Sequence, residues 1–330
     1  MPTNTKLIVG VDEAGYGPSI GPLTVCATCW RVPSSFDVTQ MSLLLEQEIQ
    51  ARPWKPTLTH VPIGDSKKIH QGRYSVEGLI LGTYFLFHAC DGKPVADWDS
   101  RLASIAREDS KRIQSVPWYA LRSTDREERL NSILVEPEAY FNAGRKKLKS
   151  LSIQAVGLRM RVLDEIEFNA QINRTGNKST LLSEASLQLV NDSVKVYGRK
   201  GESVEVYCDK HGGRNRYQSV LSHVFDQAWF EIELEGKSCS RYSTLWRGYP
   251  LRIQFQVNGD SLFPSAAASI VAKWTREELM DRLNRFWQSR CSEPLSVTAG
   301  YYSDALRFAK QIEKAAETAN LPKERWWRKK

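Results

Sequence analysis

Four acidic residues stand where chemistry would want them. Asp12 and Glu13 sit side by side after the apolar run Leu7–Val11 and ahead of three glycines and two prolines in "AGYGPSIGP". Asp209 closes "SVEVYCD", and Asp260 closes "LRIQFQVNGD". Any one of them, taken alone, reads better as a strand end or a turn cap. As a set they repel one another unless something positive lies among them, and hard oxygen donors grouped this way suit Mg²⁺ or Mn²⁺. Paired divalent ions of that kind activate a water and stabilise the leaving oxygen of an in-line displacement, which points to phosphate chemistry.

The segment after Asp260 adds to this. In "SAAASIVAKWTREELM", Ser269, Lys273 and Arg276 are spaced i, i+4 and i+7, so on a helix they share one polar, cationic face. Ala266, Ala267 and Ala268 let the start of that helix approach its neighbours closely. The stripe reads either as ordinary exposed charge or as a contact for a phosphate backbone.

These residues need strands and helices to position them. Leu7–Val11 reads as a buried strand and Leu23–Val32 as its hairpin partner. Leu43–Gln50 and Val76–Cys90 have helical spacing, and 91–142 is charged and weakly periodic, expected as a mostly helical insertion on the surface. A strand is expected over Ile153–Val162, then a helix through Leu181, Ala185 and Leu189, the strand Ser203–Asp209, and a helix over Tyr217–Gln227. "AWFEIELEG", "YSTLWRG" and "LRIQFQVNGD" read as strands, followed by helices over Ala266–Phe286 and Ser303–Ala319. Mixed strands and helices in this order predict one α/β domain, a mixed central sheet flanked by helices, over 1–302, with insertions near 91–142 and 228–250. Residues 303–330 form a last helix and the basic aromatic tail "KERWWRKK", whose Trp326 and Trp327 either stack on bases or pack on the protein.

The 330 residues carry a net charge of +8, compatible with a polyanionic partner. The local clusters are Arg145, Lys146, Lys147 and Lys149, then Arg199 and Lys200, then Lys210, His211, Arg214 and Arg216, each equally readable as solvated surface. Cys26 and Cys29 form a C-x-x-C inside an apolar run without a second pair, so they read as small buried residues rather than a zinc site. Six scattered cysteines, no basic-then-apolar leader, and an apolar run, Leu79–Cys90, too short for a bilayer together predict a cytoplasmic protein with no membrane partner. No feature points to a protein partner.

With these residues in place, a family resemblance emerges. "GVDEAGYGPSIGPLTV" resembles the opening motif of type 2 ribonucleases H (ribonuclease HII), "DSKK" at Asp65–Lys68 its second motif, and "GD" followed by "AAASIVAKWTRE" its last; "VYCD" and "AGYYS" are similar to two weaker positions. The motifs keep family order across almost the whole chain. The resemblance implies an RNase H-like fold and a metal-dependent endonuclease acting on RNA in RNA/DNA hybrids or on ribonucleotides in duplex DNA. It assigns Asp12, Glu13, Asp209 and Asp260 as catalytic residues holding two Mg²⁺ or Mn²⁺ ions. It places Gly15, Tyr16, Gly17, Lys67, Ser269, Lys273 and Tyr301 against the substrate, Tyr301 packing on the sugar, where the 2′-hydroxyl distinguishes RNA from DNA.

Departures from the family pattern bear on specificity. Tyr16 stands where the family carries the arginine of Gly-Arg-Gly, which reads the RNA-to-DNA junction; Arg214 or Arg216 is a conceivable substitute. Lys210 follows Asp209 where a small residue is common, Glu277 replaces an aspartate, and the link from Asp260 to the alanines is one residue short. Two alternatives stay open: a type 3-like enzyme restricted to longer hybrids, and a binding relative without turnover.

Overall fold

The computed structural model describes residues 4–55, 58–69, 72–92, 97–120 and 137–329. Its centre is β1 (Thr5–Ala14), which pairs antiparallel with β2 (Leu23–Pro33) as the expected hairpin. Leu7, Ile8, Val9 and Val11 are all buried, because a central strand covered on both faces must be apolar on both. Further along the chain come the short parallel pair β3 (Ile49–Gln50) and β4 (Val61–Pro62), then β5 (Gln154–Leu163), β6 (Ser203–Asp209), β7 (Glu231–Glu235), β8 (Cys239–Trp246) and β9 (Tyr249–Gln256). The main sheet has seven strands in the order β5-β2-β1-β6-β9-β8-β7. β1, β6 and β9 run parallel, and the rest are antiparallel to their neighbours. This is the mixed α/β sheet that the sequence predicts.

Among the described residues the longer helices are α1 (Ser75–Asp91), α2 (Trp98–Ile105), α3 (Arg107–Ser115), α4 (Pro137–Ser150), α5 (Glu165–Thr175), α6 (Lys178–Tyr197), α7 (Gln218–Val224), α8 (Phe263–Gln288) and α9 (Tyr302–Thr318). They form two layers. One core cluster joins Ile8, Cys26 and Trp30 of the sheet to α1 and α8; the other joins Leu7, Val9 and Val11 to α5, α6 and α7. α8 is buried on most sides despite its many charged residues, with Lys273, Glu277, Asp281 and Arg285 half-buried, and its first turn is opened by Pro264, whose missing N–H costs nothing there.

Three expectations are corrected. The helix over Leu43–Gln50 shrinks to one turn, Met41–Leu44, and Ile49–Gln50 pairs as a strand. Met41, Leu45 and Ile49 are buried at helical spacing while Leu43 and Leu44 stay exposed, so spacing alone misled. The segment 97–120 is not a surface insertion: Trp98 packs edge-on against Trp274, and Trp118 stacks on Trp287, all four buried. Its charged residues hide three core aromatics, Trp98, Trp118 and Tyr119. Residues 228–250 likewise are no appendage, since β7 and β8 extend the main sheet and the β8–β9 hairpin turns through Arg247 and Gly248, both at positive φ.

Candidate active site

Parallel pairing brings the acids to one edge. Val11 lies opposite Cys208, so Asp12 and Asp209 stand at the same level, each one step beyond the last β1–β6 pair, while Asp12 still pairs with Cys26 and Asp209 with Gln256. Carboxyl ends of adjacent parallel strands are where open α/β sheets place their ligands. α8 closes over this edge because β1 carries Gly10: a Cβ there would sit 2.1 Å from the Pro264 carbonyl carbon. The Thr28 hydroxyl donates to Pro264 O at 2.7 Å, and the Ser265 hydroxyl donates to Tyr207 O at 3.0 Å, fixing the start of α8 to β2 and β6. Ser269, one turn further, is thereby set beside Asp12 and hydrogen-bonds it.

The electrostatics match a crowded acid cluster. Burial pushes the Asp12 carboxyl from its ordinary 3.8 up to about 6, against the Ser269 hydrogen bond, the Glu13 amide and the charge of Lys273; Asp209 adds to the rise. Glu13 is held well above its ordinary range by burial, then by the charges of Asp12 and Asp209. Asp12, Glu13 and Asp209 therefore feel one another, with Lys273 the cation that offsets them.

Asp260 comes from a different kind of element. It lies on a 3-10 turn, Gly259–Ser261, four residues beyond the end of β9. Gly259 is pressed on Asp209, where a Cβ would come within 2.8 Å of the Asp209 Cα, and its amide donates to Asp209 Oδ1 at 3.2 Å. Asp260 lines a cavity of ≈ 840 Å³ with Arg52, Asp65, Lys68, Asn258 and Phe263, so the second motif and the fourth acid share a groove. Among the described residues no three acidic, histidine or cysteine side chains are arranged as a ready-made metal cage. The donor chemistry suits a hard cation even so: the carboxylate of buried Asp12 beside those of half-buried Glu13 and Asp209, mutually repelling, with the charge of Lys273 acting on Asp12.

The turn after β1 is built tightly. Gly15, at φ +89°, leaves no room for a side chain, because a Cβ would meet Pro22 O at 2.4 Å and Arg276 Nε at 2.6 Å. Ser19 and Ile20 donate to Gly300 O at 2.8 and 3.3 Å, which draws the exposed Tyr301 beside Gly17. Tyr16 reaches to the loop after β6, its hydroxyl filling the space a side chain at Gly212 would need, between the charges of Glu13 and Arg214. The Lys67 side chain lies outside the described residues; its neighbours place the segment on the one-turn helix Ser66–Ile69.

Several cations take roles the sequence does not foretell. Arg276 is buried rather than part of an outward stripe, donating to Ala299 O at 2.8 Å beneath the turn. Arg214 donates to the hydroxyls of Ser179 and Thr180 at 3.0 and 2.7 Å, and Lys210 Nζ donates to Gly236 O at 2.7 Å, so both tie loops together. Arg216 is exposed, with Glu235 at 3.7 Å. Arg199 and Lys200 precede β6 and lie at the opposite edge from Asp209, roughly 20 Å away along the strand. Arg145, Lys146 and Lys149 of α4 line a separate cavity with Cys90 of α1.

The tail is packed. Trp326 is buried against Trp287, and Arg328 runs under the turn with its side chain only 1 % exposed. Glu165, fully buried at the start of α5, accepts from the Gly21 amide at 2.9 Å and the Tyr119 hydroxyl at 3.0 Å. Sequence reading missed Arg328, Glu165 and Tyr119; the one available signal was an arginine and a glutamate beside aromatic residues, which is common on surfaces.

No protein-family model matches the chain, and no curated protein is similar to it. Solved structures to which the chain is similar include the PCNA:RNase HII complex from Archaeoglobus fulgidus (14 % identity, 97 % of this chain and 93 % of that one, TM-score 0.40). Ribonuclease H2 from Pyrococcus horikoshii is similar at 16 % identity over 95 % and 89 %, TM-score 0.41. Bst-RNase HIII in complex with Mn²⁺ is similar at 14 % identity over 98 % and 66 %, TM-score 0.41.

Proposed function

We propose that this chain is a divergent ribonuclease H, an endonuclease that hydrolyses the RNA strand of RNA/DNA hybrids or the phosphodiester at a ribonucleotide within duplex DNA. The observation that carries the reading is the meeting of Asp12, Glu13 and Asp209 at the aligned ends of parallel strands, with Ser269 bonded to Asp12 and Lys273 beside it. The motif order supports it. Asp12, Glu13, Asp209 and Asp260 would hold Mg²⁺ or Mn²⁺, which supplies an activated water and charge stabilisation of the leaving 3′-oxygen. The chain's own residues do the rest: Lys273 meets a phosphate, the Gly15–Gly17 backbone and Lys67 border the strand, and Tyr301 offers an exposed ring to the sugar.

A second reading, restriction to continuous hybrids, rests on Tyr16. The arginine that reads a junction is absent, and Arg214 spends its guanidinium on Ser179 and Thr180. All six cysteines are unpaired, and no helix among the described residues is long and apolar enough to cross a membrane, in keeping with a reducing, cytoplasmic setting.

The test is cleavage of labelled duplexes carrying one, four or many ribonucleotides, in Mg²⁺ or Mn²⁺, beside Asp12→Asn and Asp260→Asn. Metal-dependent cuts leaving 3′-hydroxyl and 5′-phosphate ends, lost in both variants while duplex binding persists, are expected. Cuts in long hybrids alone select the second reading. Binding without cleavage by the native chain refutes the enzyme.

A further inference from the structure

The turn that follows the acidic pair is held from behind by one side chain. Arg328 Nη1 donates to the carbonyls of Gly15 and Gly21 at 2.6 and 3.4 Å, and Nη2 to that of Tyr16 at 3.2 Å. Its backbone amide donates to Ser19 O at 2.8 Å, and its guanidinium lies 3.7 Å from the centre of the Phe168 ring. Asn169 clasps the same segment, donating to Glu324 O and Trp327 O and accepting from the Lys329 amide. A planar fork that bonds three carbonyls at once is geometry a lysine cannot supply.

Within a trans peptide the C=O and the following N–H point opposite ways. Carbonyls of Gly15 and Tyr16 turned toward Arg328 therefore turn the amides of Tyr16 and Gly17 away from it. Among the described residues neither amide has a hydrogen-bond partner, and Gly17 borders the exposed Tyr301. Successive outward N–H groups form a concavity that suits an anionic oxygen.

We infer that Arg328 is a positioning residue, which fixes the Gly15–Gly17 backbone so that the Tyr16 and Gly17 amides present two donors to a phosphate or sugar oxygen of the nucleic acid; this rests on the nuclease reading above. Buried as it is, Arg328 touches no substrate. It acts through the turn, and its effect belongs to substrate capture rather than to the acids.

Hydrogen exchange and steady-state cleavage of the full chain test this with Arg328→Gln, Arg328→Lys and, as a control on the same segment that bonds none of the turn, Trp326→Leu. In Arg328→Gln the amides of Ser19, Ile20 and Gly21 exchange about tenfold faster, the loss of charge-assisted hydrogen bonds. KM rises by about the same factor with kcat little changed, because the same contact is lost before and during reaction. Arg328→Lys recovers the charge but not the fork and stays impaired. Trp326→Leu lowers the unfolding midpoint while leaving KM near that of the native chain. Unchanged exchange at Ser19–Gly21, or an equal rise of KM in Trp326→Leu, overturns the inference. A native chain that cuts neither hybrid nor ribonucleotide-bearing duplex removes the nuclease reading instead, and the exchange result then decides alone whether Arg328 holds the turn.

Discussion

Replacing Asp12 by asparagine should make the metal-free protein more stable while destroying its activity. Burial raises the Asp12 carboxyl from 3.8 to about 6. Between those values the folded chain keeps a proton that the unfolded chain has released, so stability falls as pH rises through the window and levels off above it. At 1.36 kcal/mol per pH unit the rise is worth about 3 kcal/mol. Asparagine removes the charge and can still accept from the Ser269 hydroxyl. For a chain of this length that amounts to about 4 °C in unfolding midpoint. The assay is thermal unfolding of both proteins in chelator from pH 4.5 to 7.5. The midpoints should lie close at the acid end and separate toward pH 7, and added Mn²⁺ should raise the native protein more than the variant, which lacks one of the four proposed ligands. Equal midpoints at pH 7.5 in chelator, or a gap that does not change with pH, would refute the account of Asp12 as a crowded, desolvated acid.

Other outcomes follow from packing. Gly10→Ala drives a methyl into the Pro264 backbone, 2.1 Å away, and should cost about 3 kcal/mol or more in urea unfolding, beyond the usual overpacking range because backbone must yield. Trp118→Ala should cost about 3–5 kcal/mol by the same measurement, since the indole lies between Phe286 and Trp287 in the core; a surface insertion would lose almost nothing. Burial pushes the Glu202 carboxyl up, but Arg31 at 2.7 Å, the Thr5 hydroxyl and the Arg199 amide outweigh it and bring it below its ordinary 4.5. That stability is present above the ordinary value and lost as pH falls through the lowered one, so the advantage of the native chain over Glu202→Gln in unfolding midpoint should shrink from about pH 5 to pH 3.

What the sequence makes legible is local. The hairpin, the acids at strand ends and the long alanine-led helix each announce themselves through short-range pattern: period two, an apolar run cut by glycine and proline, small residues in series. The site's support is not local. Glu165 and Tyr119 meet 46 residues apart, and Arg328 reaches Gly15 across 313. No spacing rule connects such positions, and a buried arginine looks like a surface one until its carbonyl partners are known. Arg276 shows the limit from the other side: its i+7 spacing from Ser269 is correct, yet it is buried beneath the turn while Lys273 stays half-exposed, so a shared stripe does not mean facing outward together. Asp260 marks a similar boundary, because β9 ends at Gln256 and a 3-10 turn, not the strand, carries the acid.

The parallel pairing of β1 with β6 also has a consequence for how the molecule is born. β1 is made first, but its second neighbour, beginning at Ser203, emerges only about two hundred residues later. At ribosomal rates of about 5–20 residues per second, that leaves an unpaired apolar strand edge waiting for about 10–40 s. The nascent hairpin must be shielded through that interval, and chains that stop short of Ser203 will present the bare edge of β1 to one another, a route to aggregation rather than to a half-folded protein.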